Sequence, residues 1–178
     1  MIVVNNVIEL KKLINQRIEE QGPNCDLNDI DVRRLTDMSF LFSGSEFNGD
    51  ISKWNVSNVR DMFCMFEGSS FDGDISLWDV SSVVDMRGMF QHSKFNGDIS
   101  GWNVSSVEEM GSMFLSSSFN GDISNWYVWS VKSMYGRFQY SKFNGDLSKW
   151  DVSRVEDMDE MFSGSPLEGS EPSWYRGL

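Results

Sequence analysis

The sequence has few of the residues that build metal sites and disulfide frameworks, and it has no long apolar run. Its 178 residues include two cysteines and one histidine, too few for a disulfide scaffold or a zinc site of His and Cys ligands. Because no stretch of about 18 apolar residues occurs, no membrane span is predicted. The first 20 residues mix charges with Ile, Val and Leu, unlike a secretory signal. We therefore expect a cytoplasmic protein, with the bacterial surface or non-Sec secretion as the alternative.

Basic residues are also scarce. The chain carries 15 Lys and Arg against 27 Asp and Glu, a net charge of −12, and such a field repels nucleic acid. Nucleic acid is therefore not expected as a direct partner. Apolar residues make up 40% of the chain, which together with glycine is typical of a folded domain. The length suits one domain with a sizeable core.

Motifs of known catalytic chemistry are missing from the sequence. No phosphate-binding glycine loop, zinc spacing or nucleophile motif occurs, and His92 has no catalytic partner at a recognisable spacing. Aspartates recurring in register could suggest a calcium ladder, but an Asp after Asn-Gly commonly accepts hydrogen bonds from turn amides. These are Asp50, Asp74, Asp98, Asp122 and Asp146. We predict a protein that is not an enzyme and has no cofactor or metal, with Cys25 and Cys64 as free thiols.

The sequence does contain a repeat of 24 residues without insertions. Five copies of the motif F-[ND]-G-D-[IL]-S-x-W-x-V recur in phase, and the second half of each copy follows S-x-V-x-x-M-x-x-M-F with few departures. The copies begin at Phe47, Phe71, Phe95, Phe119 and Phe143, and their tryptophans are Trp54, Trp78, Trp102, Trp126 and Trp150. A degenerate copy precedes them, so six coils span residues 23–166.

The pattern within one copy predicts a turn, a short strand and a short helix. In D-I-S-x-W-x-V the apolar residues lie close together after an Asn-Gly-Asp turn signal, which favours an extended segment. In the second half the spacing becomes three and four, as between Met62 and Phe66, which indicates a helix. Ser57 occupies the N-cap position, and Ser105 with Glu108 matches a capping box.

One such coil encloses no volume, so the coils must stack to bury their apolar residues. We predict an α/β solenoid of six coils with short strands on one side and short helices on the other. Strands can lie about 4.8 Å apart, whereas helices need roughly 8–10 Å, so the stack should curve with its strand side concave. Residues 1–22 are predicted to form an amphipathic capping helix. Residues 167–178 are predicted to form a thin C-terminal cap or tail, where a second copy could pair.

The unit FNGDISKWNVSNVRDMFCMFEGSS resembles the repeat of the BspA-like leucine-rich repeat proteins of bacteria, also described as the Mycoplasma-type lipoprotein repeat. The resemblance extends over about residues 24–166. It implies a right-handed, leucine-rich-repeat-like solenoid that binds protein partners, commonly on bacterial surfaces.

Function is expected at positions that the repeat does not require. The coil 119–142 departs most, because it gains aromatic and basic side chains, and its net charge is +2 where the other four full copies carry −1 to −4. Tyr, Trp and Arg dominate interface hot spots. The predicted partner-binding residues are Tyr135, Tyr140, Lys142, Tyr127, Trp129 and Arg137. The alternative for Tyr127, Trp129 and Arg137 is that they only adjust the local core.

Three functions are consistent with these observations. The first is a protein-binding module centred on the coil 119–142. The second is an acidic decoy or inhibitor, such as one encoded by a phage, that blocks a basic or nucleic-acid-binding protein through the charge of −12. The third is a bacterial surface or self-assembling structural protein that uses the weak C-terminal end to form homo-oligomers.

Overall fold

The repeat forms a solenoid-like stack of coils in a computed structural model that describes residues 1–177. Parallel bridges join equivalent residues of successive coils, so each coil lies on the next one in the sequence, as predicted. Counting Phe47 as position 1 of its coil, one bridge joins Asp26 to Asp50 at position 4, and the others follow position 15. They link Asp37 to Asp61, Asp61 to Asp85, Asp85 to Glu109, Glu109 to Ser133 and Ser133 to Asp157.

Regular secondary structure is confined to the N-terminal end of the described chain. Strand β1 covers Ile2–Val3, helix α1 covers Val7–Gln21, and strand β2 covers Ile30–Asp31. The two strands pair in parallel. Elsewhere the described coils consist of turns and bends with single bridges. The prediction of a strand and a helix in every coil, and of a stack with helices on one side, is therefore wrong.

Hydrogen bonding between coils is the reason that the predicted helix does not form. Every second amide of the segment 62–68 donates to a carbonyl of the next coil at 2.7–3.0 Å, whereas a helix would direct these amides to its own carbonyls. The donors are Met62, Cys64, Phe66 and Gly68. Cys64 and Gly68 also have positive φ angles of 50° and 60°, outside the right-handed helical region. The apolar residues spaced three and four apart in this segment therefore lie in overlapping turns and not in a helix.

Side-chain oxygens close the remaining turns of each coil. Asp50 Oδ1 accepts a hydrogen bond of 2.9 Å from the amide of Ser52. The equivalent bond recurs at 2.8–2.9 Å in each full coil, from Ser76, Ser100, Ser124 and Ser148 to the aspartate two residues earlier. This arrangement confirms that the regularly spaced aspartates stabilise turns.

A ladder of amide and carboxylate side chains connects the coils at position 2. Asn48 Oδ1 accepts a hydrogen bond of 2.8 Å from the amide of Asp72, whose own carboxylate accepts from the amide of Asn96 at 2.7 Å. Asn96 and Asn120 continue the ladder to the sixth coil. A single insertion between coils would break these bonds.

The core consists of columns of identical side chains, as predicted. The phenylalanines at position 1 are fully buried and stack with ring centroids 6.1–6.3 Å apart. The tryptophans form a second continuous column, which is held by hydrogen bonds. Each indole Nε1 donates to the backbone carbonyl 27 residues earlier at 2.8–3.2 Å. The donors are Trp54, Trp78, Trp102, Trp126, Trp150 and Trp174.

Both ends of the stack are covered by chain outside the six coils. At the N-terminal end, α1 begins after its N-cap Asn6 and buries Leu10 and Ile14 in the core. At the other end, Trp174 extends the tryptophan column, and Tyr175 contacts the Phe162 ring edge-on at 5.1 Å. Among the described residues, no helix is both long and apolar enough to cross a bilayer.

Replacing Trp102 with Ala should lower the free energy of unfolding by about 3–5 kcal/mol, because it deletes a buried ring inside a packed column. The change also leaves the carbonyl of Ile75 without its indole donor. The same change at Trp174, which is only half-buried at the end of the column, should cost less. Urea denaturation of both variants measures the difference, and equal midpoints would contradict the assignment of Trp102 to the core.

Acidification should destabilise the stack through its turn aspartates. The Ser amide two residues later, and then the Ser hydroxyl, lower the pKa of Asp74, Asp98, Asp122 and Asp146 below the ordinary value of 3.8. The unfolded chain therefore binds more protons, and the stabilisation present above about pH 4 is lost as the pH falls through the lowered values. Urea midpoints between pH 6 and pH 3 should fall less when all four residues are changed to Asn, which keeps the acceptor without titrating.

Candidate functional site

Tyr127 and Trp129 form an exposed aromatic pair at positions where the other coils use a polar turn. Elsewhere an Asn or Asp side chain accepts from the amide of Ser two residues later, as Asn55 does from Ser57 at 3.1 Å. In this coil the rings of Tyr127 and Trp129 lie 6.3 Å apart instead, and they are 59% and 39% exposed. The alternative that they fill a local core is therefore wrong.

Arg154 of the next coil completes this surface. Its guanidinium lies 4.6 Å from the centre of the Trp129 ring, within the range of a cation–π interaction. Tyr127, Trp129 and Arg154 are together called the corner cluster. Arg154 is not among the residues predicted from the sequence, although its position holds Asn or Ser in the other four full copies, and this contrast is the signal that could have identified it.

Tyr135, Tyr140 and Lys142 are exposed further along the same coil. Tyr135 lines a shallow groove that also contains Arg87, Glu109 and Asp157. Tyr140 is 63% exposed and has a φ of 53°, a conformation that a bulky residue rarely adopts. Its ring lies over Gly164 of the next coil, where any β-carbon would collide with it. Neither tyrosine contributes to the core.

Arg137 lies in the core, and its prediction as a partner-binding residue is corrected. The side chain has no exposed surface, because it occupies the position of the second Met of the repeat. Its guanidinium lies 4.6–5.9 Å from the centres of four aromatic rings. These rings are Phe114, Trp126, Phe138 and Trp150.

The environment of Arg137 provides no counterion. Its Nε, Nη1 and Nη2 atoms have no hydrogen-bond partner within the described part of the chain. Loss of hydration on burial lowers the pKa of the guanidinium from 12.5 to about 9. An unpaired buried charge is costly, and the aromatic faces recover only part of that cost.

The groove beside Tyr135 is centred on Gly111. It has a volume of about 380 Å³ and crosses several coils along positions 15 and 17. At position 17 Gly111 lies between Arg87 and Tyr135 of the neighbouring coils, and this gap in the row of side chains deepens the groove. We call this surface the Gly111 groove. This groove is not predicted from the sequence, although the residues at position 17 include a glycine between two large side chains.

The remaining reactive groups are in unreactive surroundings. Cys25 and Cys64 are free and buried, as predicted, and burial raises the pKa of Cys64 to about 11, which disfavours the nucleophilic thiolate. Within residues 1–177, no group of three or more His, Cys, Asp or Glu side chains could hold a metal ion.

Replacing Arg137 with Met should raise the free energy of unfolding by about 1–4 kcal/mol, because it removes an uncompensated buried charge and restores the residue of the repeat. The matched control is Met113→Arg, which places the same charge at the equivalent position of the preceding coil and should destabilise. Thermal and urea unfolding of the two variants measure both effects. A lower midpoint for Arg137→Met would mean that the aromatic contacts outweigh the loss of hydration.

Comparison with known proteins supports one family. Searches of curated proteins and of solved structures returned no significant match. The family model described as "Mycoplasma protein of unknown function, DUF285" matches residues 9–117 and 69–174. These two overlapping matches include the six coils and most of α1. On this evidence the chain belongs to the DUF285 family of repeat proteins.

Proposed function

We propose that the protein is a non-enzymatic binding module that recognises a protein partner through its solenoid surface, as the resemblance to BspA-like, right-handed leucine-rich repeats implies. The observation that carries the proposal is the exposure of four aromatic side chains in one coil. Tyr127, Trp129, Tyr135 and Tyr140 stand at positions that are mostly small or polar in other coils. The coil does not need their bulk, and exposed Tyr and Trp are typical of interface hot spots.

The charge of this surface favours the same proposal. Because Arg137 is buried, and Lys132 pairs with Glu108, the available cations are Lys142 and Arg154. Arg154 lies over the Trp129 ring at 4.6 Å, and this cation–π contact favours one arrangement of the two side chains. Preordered aromatic and cationic groups lose little conformational entropy when a partner binds.

Substitution by the residues of the other coils tests the proposal. One variant combines Tyr127→Asn with Trp129→Ser, and the second combines Tyr135→Ser, Tyr140→Gly and Lys142→Ser. The wild-type protein is cross-linked in an extract of its native host, and the captured protein is identified by mass spectrometry and purified. We expect at least one variant to weaken binding to that protein by about tenfold or more in calorimetry.

Leu77→Asn is the matched control, because Leu77 is 88% exposed at a position that is Asn125 in the aromatic coil. This variant should bind like the wild type. Thermal melts of all variants separate lost contacts from lost stability. The proposal would be contradicted if the double and the triple variant both bound the partner as tightly as the wild type and melted at the same temperature.

An acidic decoy is the second candidate, and the net charge of −12 favours it. Binding that depends on charge alone should weaken steeply with salt, and the aromatic substitutions should not change its affinity.

Self-assembly is the third candidate. Within the described residues, the backbone amides of Met158, Glu160 and Phe162 donate to no further coil, so the last coil keeps an unpaired backbone edge although Trp174 and Tyr175 cover its rings. Light scattering at increasing protein concentration distinguishes this candidate by a rise in mass.

A further inference from the structure

The Gly111 groove contains a carboxylate that the fold leaves available. At position 15, Asp37, Asp61, Asp85 and Asp157 each accept a hydrogen bond of 2.8–3.1 Å from the amide two residues later. Glu109 occupies the same position with a side chain one methylene longer. Its carboxylate accepts no hydrogen bond and forms no ion pair within residues 1–177. Glu109 is therefore the carboxylate in this column that is not used to close a turn.

The cations near Glu109 are already paired with other carboxylates. Arg87 Nε lies 3.1 and 3.0 Å from the two carboxylate oxygens of Asp85, and the guanidinium also covers the Phe63 ring at 5.1 Å. Lys132 pairs with Glu108, the neighbour of Glu109 in the sequence. The groove thus has an excess of negative charge, because the nearby cations Arg87 and Lys132 already form ion pairs with Asp85 and Glu108.

An aromatic wall and an open space lie next to this carboxylate. Tyr135 is 47% exposed and forms one side of the groove. A β-carbon added at Gly111 would lie 3.5 Å from the carbonyl oxygen of Tyr135 and 3.8 Å from Ser133 Oγ, which are ordinary contact distances, so the glycine leaves this part of the groove free of a side chain. Asp157 contributes a further carboxylate at the Tyr135 end.

From this arrangement we propose that the Gly111 groove binds an arginine side chain presented by an extended segment of the protein partner. A guanidinium can form two parallel hydrogen bonds to the Glu109 carboxylate and stack its planar face on the Tyr135 ring. Lysine offers a point charge without the planar fork, so it satisfies this geometry less well. The groove volume of about 380 Å³ accommodates one such side chain with its flanking backbone. The inference rests on the proposed function and specifies one chemical feature of the partner.

The test uses the peptide Gly-Ser-Gly-Arg-Gly-Ser-Gly as the probe, with matched peptides that carry lysine or citrulline in place of arginine. Titration of the isotope-labelled full chain is followed by amide chemical shifts in NMR. The arginine peptide should shift the amides of Gly111 and Tyr135, the lysine peptide should bind more weakly, and the neutral citrulline peptide should bind least. Glu109→Gln should weaken arginine-peptide binding by about tenfold, the loss expected for a charge-assisted hydrogen bond.

Glu108→Gln is the control, because Glu108 is the sequence neighbour of Glu109 and carries the same charge. Its carboxylate pairs with Lys132 and does not line the groove. This variant should leave arginine-peptide binding within about twofold of the wild type. Equal losses in both variants, or equal binding of the arginine and lysine peptides, would overturn the inference in favour of general attraction to an acidic surface. Absence of shifts at Gly111 and Tyr135 would also overturn it. The proposed function would survive that failure if the aromatic variants still lost the natural partner.

Discussion

Hydrogen bonding between neighbouring coils is the interaction on which the rest of this structure depends. A coil of turns has too few internal partners for its own amides and carbonyls, and buried polar groups without partners are costly. In each of the first five coils, alternate amides at positions 16, 18, 20 and 22 donate to the following coil. This pairing requires the coils to stay in register, which explains why the repeat keeps a constant length through the array.

The same constraint separates the positions that can vary from those that cannot. The side chains of the phenylalanine and tryptophan columns contact the coils above and below, so one substitution there would disturb two interfaces, whereas the turn aspartates act within their own coils. The side chains at the outward positions 9, 11, 17 and 22 lie outside these buried columns, and the large exposed residues of the coil 119–142 occur there. Arg137 is the exception, since it stands at an inward position and brings a charge into the core. Surface exposure and departure from the repeat therefore coincide at most of the unusual residues of this coil, but not at Arg137.

Much of the architecture could be predicted from the sequence, because the phase of the repeat places identical residues over one another. The buried Phe and Trp columns follow from that phase, the role of the aspartates follows from the Asn-Gly turn signal before them, and the helix before the first coil follows from its amphipathic pattern. The local structure within a coil could not, since Met62, Met65 and Phe66 face the core equally well in a helix or in overlapping turns. The difference lies in where the backbone amides find acceptors, and side-chain spacing does not report it. Departure from the repeat identifies the candidate site but gives two interpretations of Arg137, partner binding or adjustment of the local core, and its complete burial supports the second.

The uniform joint between coils has a consequence for inheritance. Every internal coil receives hydrogen bonds on one side and donates the same set on the other, and its rings stack in the same way on both sides. Unequal recombination between equivalent codons of two coils therefore adds or removes whole coils in frame, and the product keeps a continuous ladder and continuous ring columns. The length of the stack can therefore change in descent by whole coils.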